Sequence, residues 1–101
     1  MPEPDSLTIV RLPQDGLTDP AAIEHLLRLL EGDDGPTHLH IDLSDVQDVP
    51  SVGLVRLVAL HRAAKRRGGS LALVNVPGPA CDLLRLTNLH TVLDVREKAT
   101  G

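Results

Sequence analysis

The 101-residue chain has no Phe, Tyr or Trp, a single Cys and a single Met. Each scarcity excludes something. Without aromatic rings there is no platform on which bases can stack, as most single-strand nucleic-acid readers require. There is no aromatic cage for a quaternary cation, and no Tyr to serve as acid, base or phosphoacceptor. With Cys81 alone, neither a disulfide framework nor a thiolate metal cluster can form. No apolar run approaches the roughly 20 residues of a membrane span, so direct membrane insertion is not expected. The start, Met1 to Asp5, has neither the basic segment nor the apolar segment of a signal peptide. A cytoplasmic protein is the expectation.

What is present is aliphatic. The sequence holds 19 Leu, 10 Val, 8 Ala and 3 Ile, which with the single Cys and Met make 42% of it apolar. That is enough for one compact aliphatic core in a single domain spanning 1–101, with its ordered part at about 7–95. The net charge of −4 conceals a split. Residues 1–50 carry 11 acids and 2 bases, and residues 51–101 carry 3 acids and 8 bases. A balance of −9 against +5 does not suit a general nucleic-acid binder. It suits an electrostatically oriented protein partner, with the chain a monomer or weak dimer.

The periodicities alternate between two kinds. Leu7 to Leu12 is short and β-branched, a strand ahead of the turn Pro13 to Gly16. Asp19-Pro20 is a helix cap followed by Pro at the first helical position. Ala22, Ile23, Leu26, Leu27 and Leu30 then recur at helical spacing up to Gly32. Thr37 to Leu43 alternates strictly, with His38, His40 and Asp42 on one face and Leu39, Ile41 and Leu43 on the other. A polar connection, Ser44 to Pro50, leads to a long helix opening at Ser51 and stopped by Gly68-Gly69. Ser70 to Val76 reads as the third strand, Ala80 to Thr87 as a short helix, and Asn88 as a left-handed cap. Val92 to Val95 reads as a last edge strand. The β-α-β-α-β-α-β order predicts an α/β fold. Its sheet has about four strands, mainly parallel or mixed, with helices packed on one face.

The stretch Ile41-Asp42-Leu43-Ser44-Asp45-Val46-Gln47-Asp48-Val49-Pro50-Ser51-Val52-Gly53-Leu54 resembles the STAS-domain pattern, best known in bacterial anti-sigma factor antagonists. There a strand ending D-L-S-G-V leads into D-S-[ST]-G-L at a helix start. Gly68 to Val76 is similar to that family's strand after the long helix. Leu84-Arg85-Leu86-Thr87-Asn88-Leu89 is similar to its L-x-x-[ST]-G-L segment, and Gly16 to Asp19 loosely to its G-E-L-D turn. The resemblance implies a STAS-type fold and a protein-interaction module without catalysis or cofactor. Its partner would be an anti-sigma factor that is a serine kinase and that phosphorylates the residue matching Ser51. The implied partner surface is Asp19, Asp48, Val49, Pro50, Ser51, Val52, Gly53, Leu54 and Arg56. The chain departs from the pattern at Pro50 (Asp in the family), Val52 (Ser or Thr), Asp45 (Gly) and Asn88 (Gly). Pro50 removes a carboxylate and an N–H beside Ser51. This keeps open an alternative in which the module docks on an ATPase subunit of a transport or signalling complex without phosphorylation.

Other features have plainer readings. A serine that opens a helix can be simply its cap. The pattern His38-x-His40-x-Asp42 could present metal ligands for a hydrolytic enzyme, but it reads first as a solvated strand face. His61 falls on the apolar stripe of its helix, and Cys81 reads as a small buried hydrophobe. Arg56, Arg62, Lys65, Arg66 and Arg67 form a basic helix series. No phosphate-binding glycine loop is present, so any nucleotide would belong to the partner.

Overall fold

The computed structural model describes residues 7–31, 38–66 and 68–98. Four strands, β1 (Leu7–Arg11), β2 (His38–Asp42), β3 (Ser70–Val76) and β4 (Asp94–Glu97), form one sheet in the order β1-β2-β3-β4. All three pairings are parallel. The helices are α1 (Pro20–Glu31), α2 (Ser51–Arg66) and α3 (Gly78–Leu86), with 3-10 turns at Gly16–Thr18 and Leu89–Thr91. Each crossover contains one helix, which is the length a parallel connection needs.

The alternation in β2 becomes the two faces of the sheet. Leu39, Ile41 and Leu43 are fully buried. Leu71 and Leu73 of β3 join them. The helices cover this face with Ile23, Leu26 and Leu30 from α1, Leu57, Leu60, Ala63 and Ala64 from α2, and Ala80, Cys81 and Leu84 from α3. On the opposite face His38, His40 and Asp42 are half-buried, beside Leu7, Ile9 and Arg11 of β1. Helices therefore pack on one face only, and the core is wholly aliphatic apart from Cys81. Cys81 fills the role of a small apolar side chain.

The helix ends follow the local chemistry. Asp19 Oδ1 accepts the Ala21 N–H at 3.0 Å and caps α1. At the end of α2, Gly68 adopts φ +76°. Its N–H reaches Lys65 O and that of Gly69 reaches Ala64 O, both at 3.0 Å, so the last carbonyls are satisfied. Asn88 takes the left-handed conformation, φ 60°. Glycine or asparagine tolerates that region where most residues are strained.

Two element starts differ from the sequence expectation. Helix α3 starts at Gly78, two residues early, with Pro77 as its cap residue and Pro79 in its first turn. That is where a missing N–H costs nothing. The last strand starts at Asp94 because Val92 and Leu93 close the preceding 3-10 turn, with both N–H groups bonded to Leu89 O. Leu93 is thereby buried and Val92 exposed. The sheet is parallel throughout, within the mainly parallel or mixed arrangement that the sequence predicts. Thr37, expected at the start of β2, lies outside the described residues.

Candidate functional site

A parallel sheet brings the carboxyl ends of its strands together, and the loops that follow them share one edge of the molecule. The connection from β2 to α2, residues 43–50, lies in the middle of that edge. Two valines pin it to the core: Val46 is fully buried and Val49 is 4% exposed. Polar groups from both neighbouring strands hold the rest. Asp42 Oδ1 accepts the Ser44 N–H at 2.8 Å, and its Oδ2 accepts Asn75 Nδ2 at 3.0 Å. Asn75 makes this reach from a left-handed conformation, φ 52°, inside a register shift between β3 and β4. Arg11 donates twice to Asp45, Nε to Oδ2 at 2.8 Å and Nη2 to Oδ1 at 2.9 Å. Gln14 Oε1 accepts the Gln47 N–H at 3.0 Å.

These contacts lower two carboxyl pKa values. For Asp42 the largest cause is the Ser44 backbone hydrogen bond, with smaller help from the Ser44 and Asn75 side chains and Arg11. For Asp45 it is the hydrogen bond from Arg11, followed by the charge of that guanidinium. Hydrogen bonds to the ionised form favour it. Both residues are thus anionic struts of the loop.

The loop delivers Pro50 and Ser51 to the surface. Pro50 O accepts the Leu54 N–H at 3.1 Å, so Pro50 occupies the cap position and Ser51 is the first helical residue. The reading of Ser51 as the cap itself is corrected accordingly. Ser51 is exposed, and its hydroxyl makes no hydrogen bond among the described residues. Val52 beside it is 45% exposed.

The other implied contact residues divide into two groups. Asp19 and Asp48 are exposed, and Leu54 is half-buried. Gly53 is buried: a Cβ there would lie 3.2 Å from Leu17 Cβ and 3.3 Å from Val49 Cγ1. Arg56 is half-buried, and its Nη1 donates to Leu17 O at 2.6 Å. Gly53, Val49 and Arg56 therefore face the turn Gly16–Thr18, while Asp48, Pro50, Ser51 and Val52 face outward.

A cleft of about 310 Å³ opens beside Pro50. Asp48, Val49 and Pro50 form one wall; Gln14, Asp15 and Thr18 from the first loop and Pro79 and Leu83 from α3 form the others. Asp15, Gln14 and Pro79 are lining residues that sequence reasoning missed. The signal that could have found them is topological, since each follows the carboxyl end of a parallel strand. On the open sheet face, His38 Nδ1 lies 2.6 Å from Ser70 Oγ. With Asp42 bonded to Ser44 and Asn75, the suggested His38-His40-Asp42 ligand set is occupied in hydrogen bonds at two of its members. Among the described residues no group of three His, Cys, Asp or Glu side chains is placed to share a metal ion. Among them, too, no helix is long and apolar enough to cross a membrane.

The four-stranded parallel sheet, its one helical layer and the loop cluster at the strand ends define an α/β domain of the βαβ type. Residues 15–95 match the family described as Mlab, STAS domain. The chain belongs to the STAS family. It is 35% identical over 63 residues to the anti-sigma-B factor antagonist of Bacillus subtilis, over 62% of this chain. The matched stretch spans 58% of that relative's length. Three solved structures share the fold. The NMR structure of the protein TM1081 superposes with a TM-score of 0.77 at 21% identity, over 93% of this chain and 76% of that one. An anti-sigma-factor antagonist (STAS) domain protein from Planctomyces limnophilus gives 0.75 at 20% identity, over 92% and 84%. A sulfate transporter family protein from Wolinella succinogenes gives 0.70 at 16% identity, over 91% and 75%.

Proposed function

We propose that the protein is a non-catalytic, cytoplasmic anti-sigma factor antagonist that binds a serine-kinase anti-sigma factor and is released when Ser51 is phosphorylated. The observation that carries this reading is the state of Ser51: exposed, without a hydrogen bond to any described residue, and displayed at the start of α2 by a braced loop. The 35% identity to an anti-sigma-B factor antagonist supports it.

The physics of a phosphate at Ser51 fits a switch. The group adds about −1.5 to −2 charges at neutral pH. Free N–H groups and the positive end of the α2 dipole favour negative charge there, so the fold tolerates it. A partner surface packed against Pro50, Ser51 and Val52 does not. Asp48, three residues before, adds to the repulsion. With no aromatic side chain, the contact rests on small groups, and a single buried charge can outweigh them.

Native mass spectrometry with the serine-kinase anti-sigma factor from the same genome tests the reading. A complex in the presence of ADP, lost with ATP as a single phosphate appears on Ser51, is expected. Absence of a complex in every nucleotide state contradicts it. Pro50 favours a second reading, in which the same surface docks on an ATPase subunit without phosphorylation. A complex with such a subunit that ATP leaves intact, with Ser51 unmodified, would establish that reading instead.

A further inference from the structure

A second concavity lies away from the Pro50 cleft. This is an open groove of about 480 Å³ between α1 and α2, with Leu27 and Glu31 on one wall and Val55, Ala59, Arg62 and Arg66 on the other. The α2 residues follow one another at i, i+4, i+7 and i+11, so they form a single ridge about 16 Å long. The ridge is apolar at one end and cationic at the other. Val55 is 69% exposed, although most Val, Leu and Ile side chains here are buried.

The charges in the groove are unspent. Arg11, Arg28, Arg85 and Arg96 each lie within 4.0 Å of a carboxylate, and Arg56 bonds Leu17 O. Arg62 and Arg66 have no hydrogen bond or ion pair among the described residues. Glu31 lies across the groove but pairs with neither. Part of this cationic character answers the carbonyl end of α2. The helix dipole, however, does not account for the apolar strip that continues from it.

We propose that this groove docks an amphipathic helix of a partner protein, whose apolar stripe covers Val55, Ala59 and Leu27 and whose acidic residues meet Arg62 and Arg66. Two parallel ridges with an apolar floor suit a third helix packed ridge into groove, with anchors at i, i+3, i+4 and i+7. Charge complementarity selects the acidic partner. Glu31 disfavours acids on the α1 side and so fixes which way the helix lies. The inference does not require phosphorylation of Ser51, although Val55 follows Ser51 by one turn on the same face of α2.

The test uses two synthetic 16-residue helical peptides with one leucine stripe, one carrying glutamates and the other lysines at its polar positions. Fluorescence anisotropy measures affinity, and amide NMR shifts locate the site. The acidic peptide should bind more tightly by about tenfold or more, weaken as salt is raised, and shift Val55 and Ala59. The double variant Arg62→Glu, Arg66→Glu should reverse the preference. Val55→Ser, which keeps both charges, should weaken the acidic peptide, and Arg96→Glu on β4 should leave it within about twofold. Equal binding of the two peptides, or of neither, overturns the proposal. So do shifts confined to another face. A dimer that Val55→Ser dissolves, or phosphatidylglycerol vesicles that displace the peptide from Val55, assigns the groove to a different occupant and also overturns it.

Discussion

Arg56 Nη1 donates to the main-chain oxygen of Leu17 at 2.6 Å, tying the second turn of α2 to the 3-10 turn Gly16–Thr18, 39 residues earlier. Leu17 is 1% exposed, so its carbonyl lies where water cannot easily replace a lost donor. Arg56→Ala is expected to lower the unfolding free energy by about 1.5–3 kcal/mol, the range for a hydrogen bond involving a charged group. Urea denaturation measures it. Loss of partner affinity with unchanged stability would instead assign Arg56 to the contact.

The same turn governs Gly53. An added Cβ would meet Leu17 Cβ at 3.2 Å and Val49 Cγ1 at 3.3 Å. Alanine in a helix is intrinsically better than glycine by about 1 kcal/mol. Leu17 is held by Arg56 and Val49 is in the core, so neither yields freely. Overpacking of about 1–3 kcal/mol should therefore prevail. Gly53→Ala is expected to lower the melting temperature, and a rise would show that the turn can shift.

His61 gives the stability a pH dependence. Its Nδ1 is buried without a hydrogen-bond partner among the described residues. Burial, and secondarily the charge of Lys65, lowers its pKa from the usual 6.5. The unfolded chain therefore takes up a proton more readily than the folded one. Stability is full above about pH 6.5 and falls as pH drops from there towards the lowered folded value. Unfolding free energies from pH 8 to 5 should show this decline, and His61→Gln should flatten it. Identical slopes for the two proteins would contradict the assignment.

Asp42 and Asp45 act at lower pH. Both carboxyl pKa values are lowered in the folded state, so their contribution is complete above the ordinary carboxylate value near 4. It is lost as pH falls below that value and through the lowered folded ones. Asp42→Asn should make acid unfolding begin from a less stable protein and weaken its steepness below pH 4. It should also loosen the loop before Ser51, read as faster amide exchange at Ser44.

Much of this architecture can be read along the chain because it rests on local pattern. The alternation of Leu39, Ile41 and Leu43 with His38, His40 and Asp42 sets the two faces of β2, and Ser70–Val76 is bounded as its sequence suggests. The motif around Ser51 pointed to the right family. What stayed hidden depends on pairings across the sheet. Asp42–Asn75 and Arg11–Asp45 are 33 and 34 residues apart, and only parallel register brings them together. Arg56 shows the converse. A cation on the first turns of α2 looks available in sequence, but the fold turns it onto Leu17 and leaves Val55 facing outward. The ends of α3 and β4 moved because Pro79 and the Leu89–Thr91 turn act on hydrogen bonds that hydrophobic periodicity does not register.

The central claim is that the neutral hydroxyl of Ser51 sits at the partner contact. Isothermal titration of the ADP-bound anti-sigma factor with wild type, Ser51→Ala and Ser51→Asp tests it most directly, with thermal melts to confirm that all three fold alike. Ser51→Ala should bind as wild type does and persist with ATP, whereas Ser51→Asp should lose at least about tenfold in affinity. Ser51→Asp binding as tightly as wild type would remove Ser51 from the interface and contradict the account.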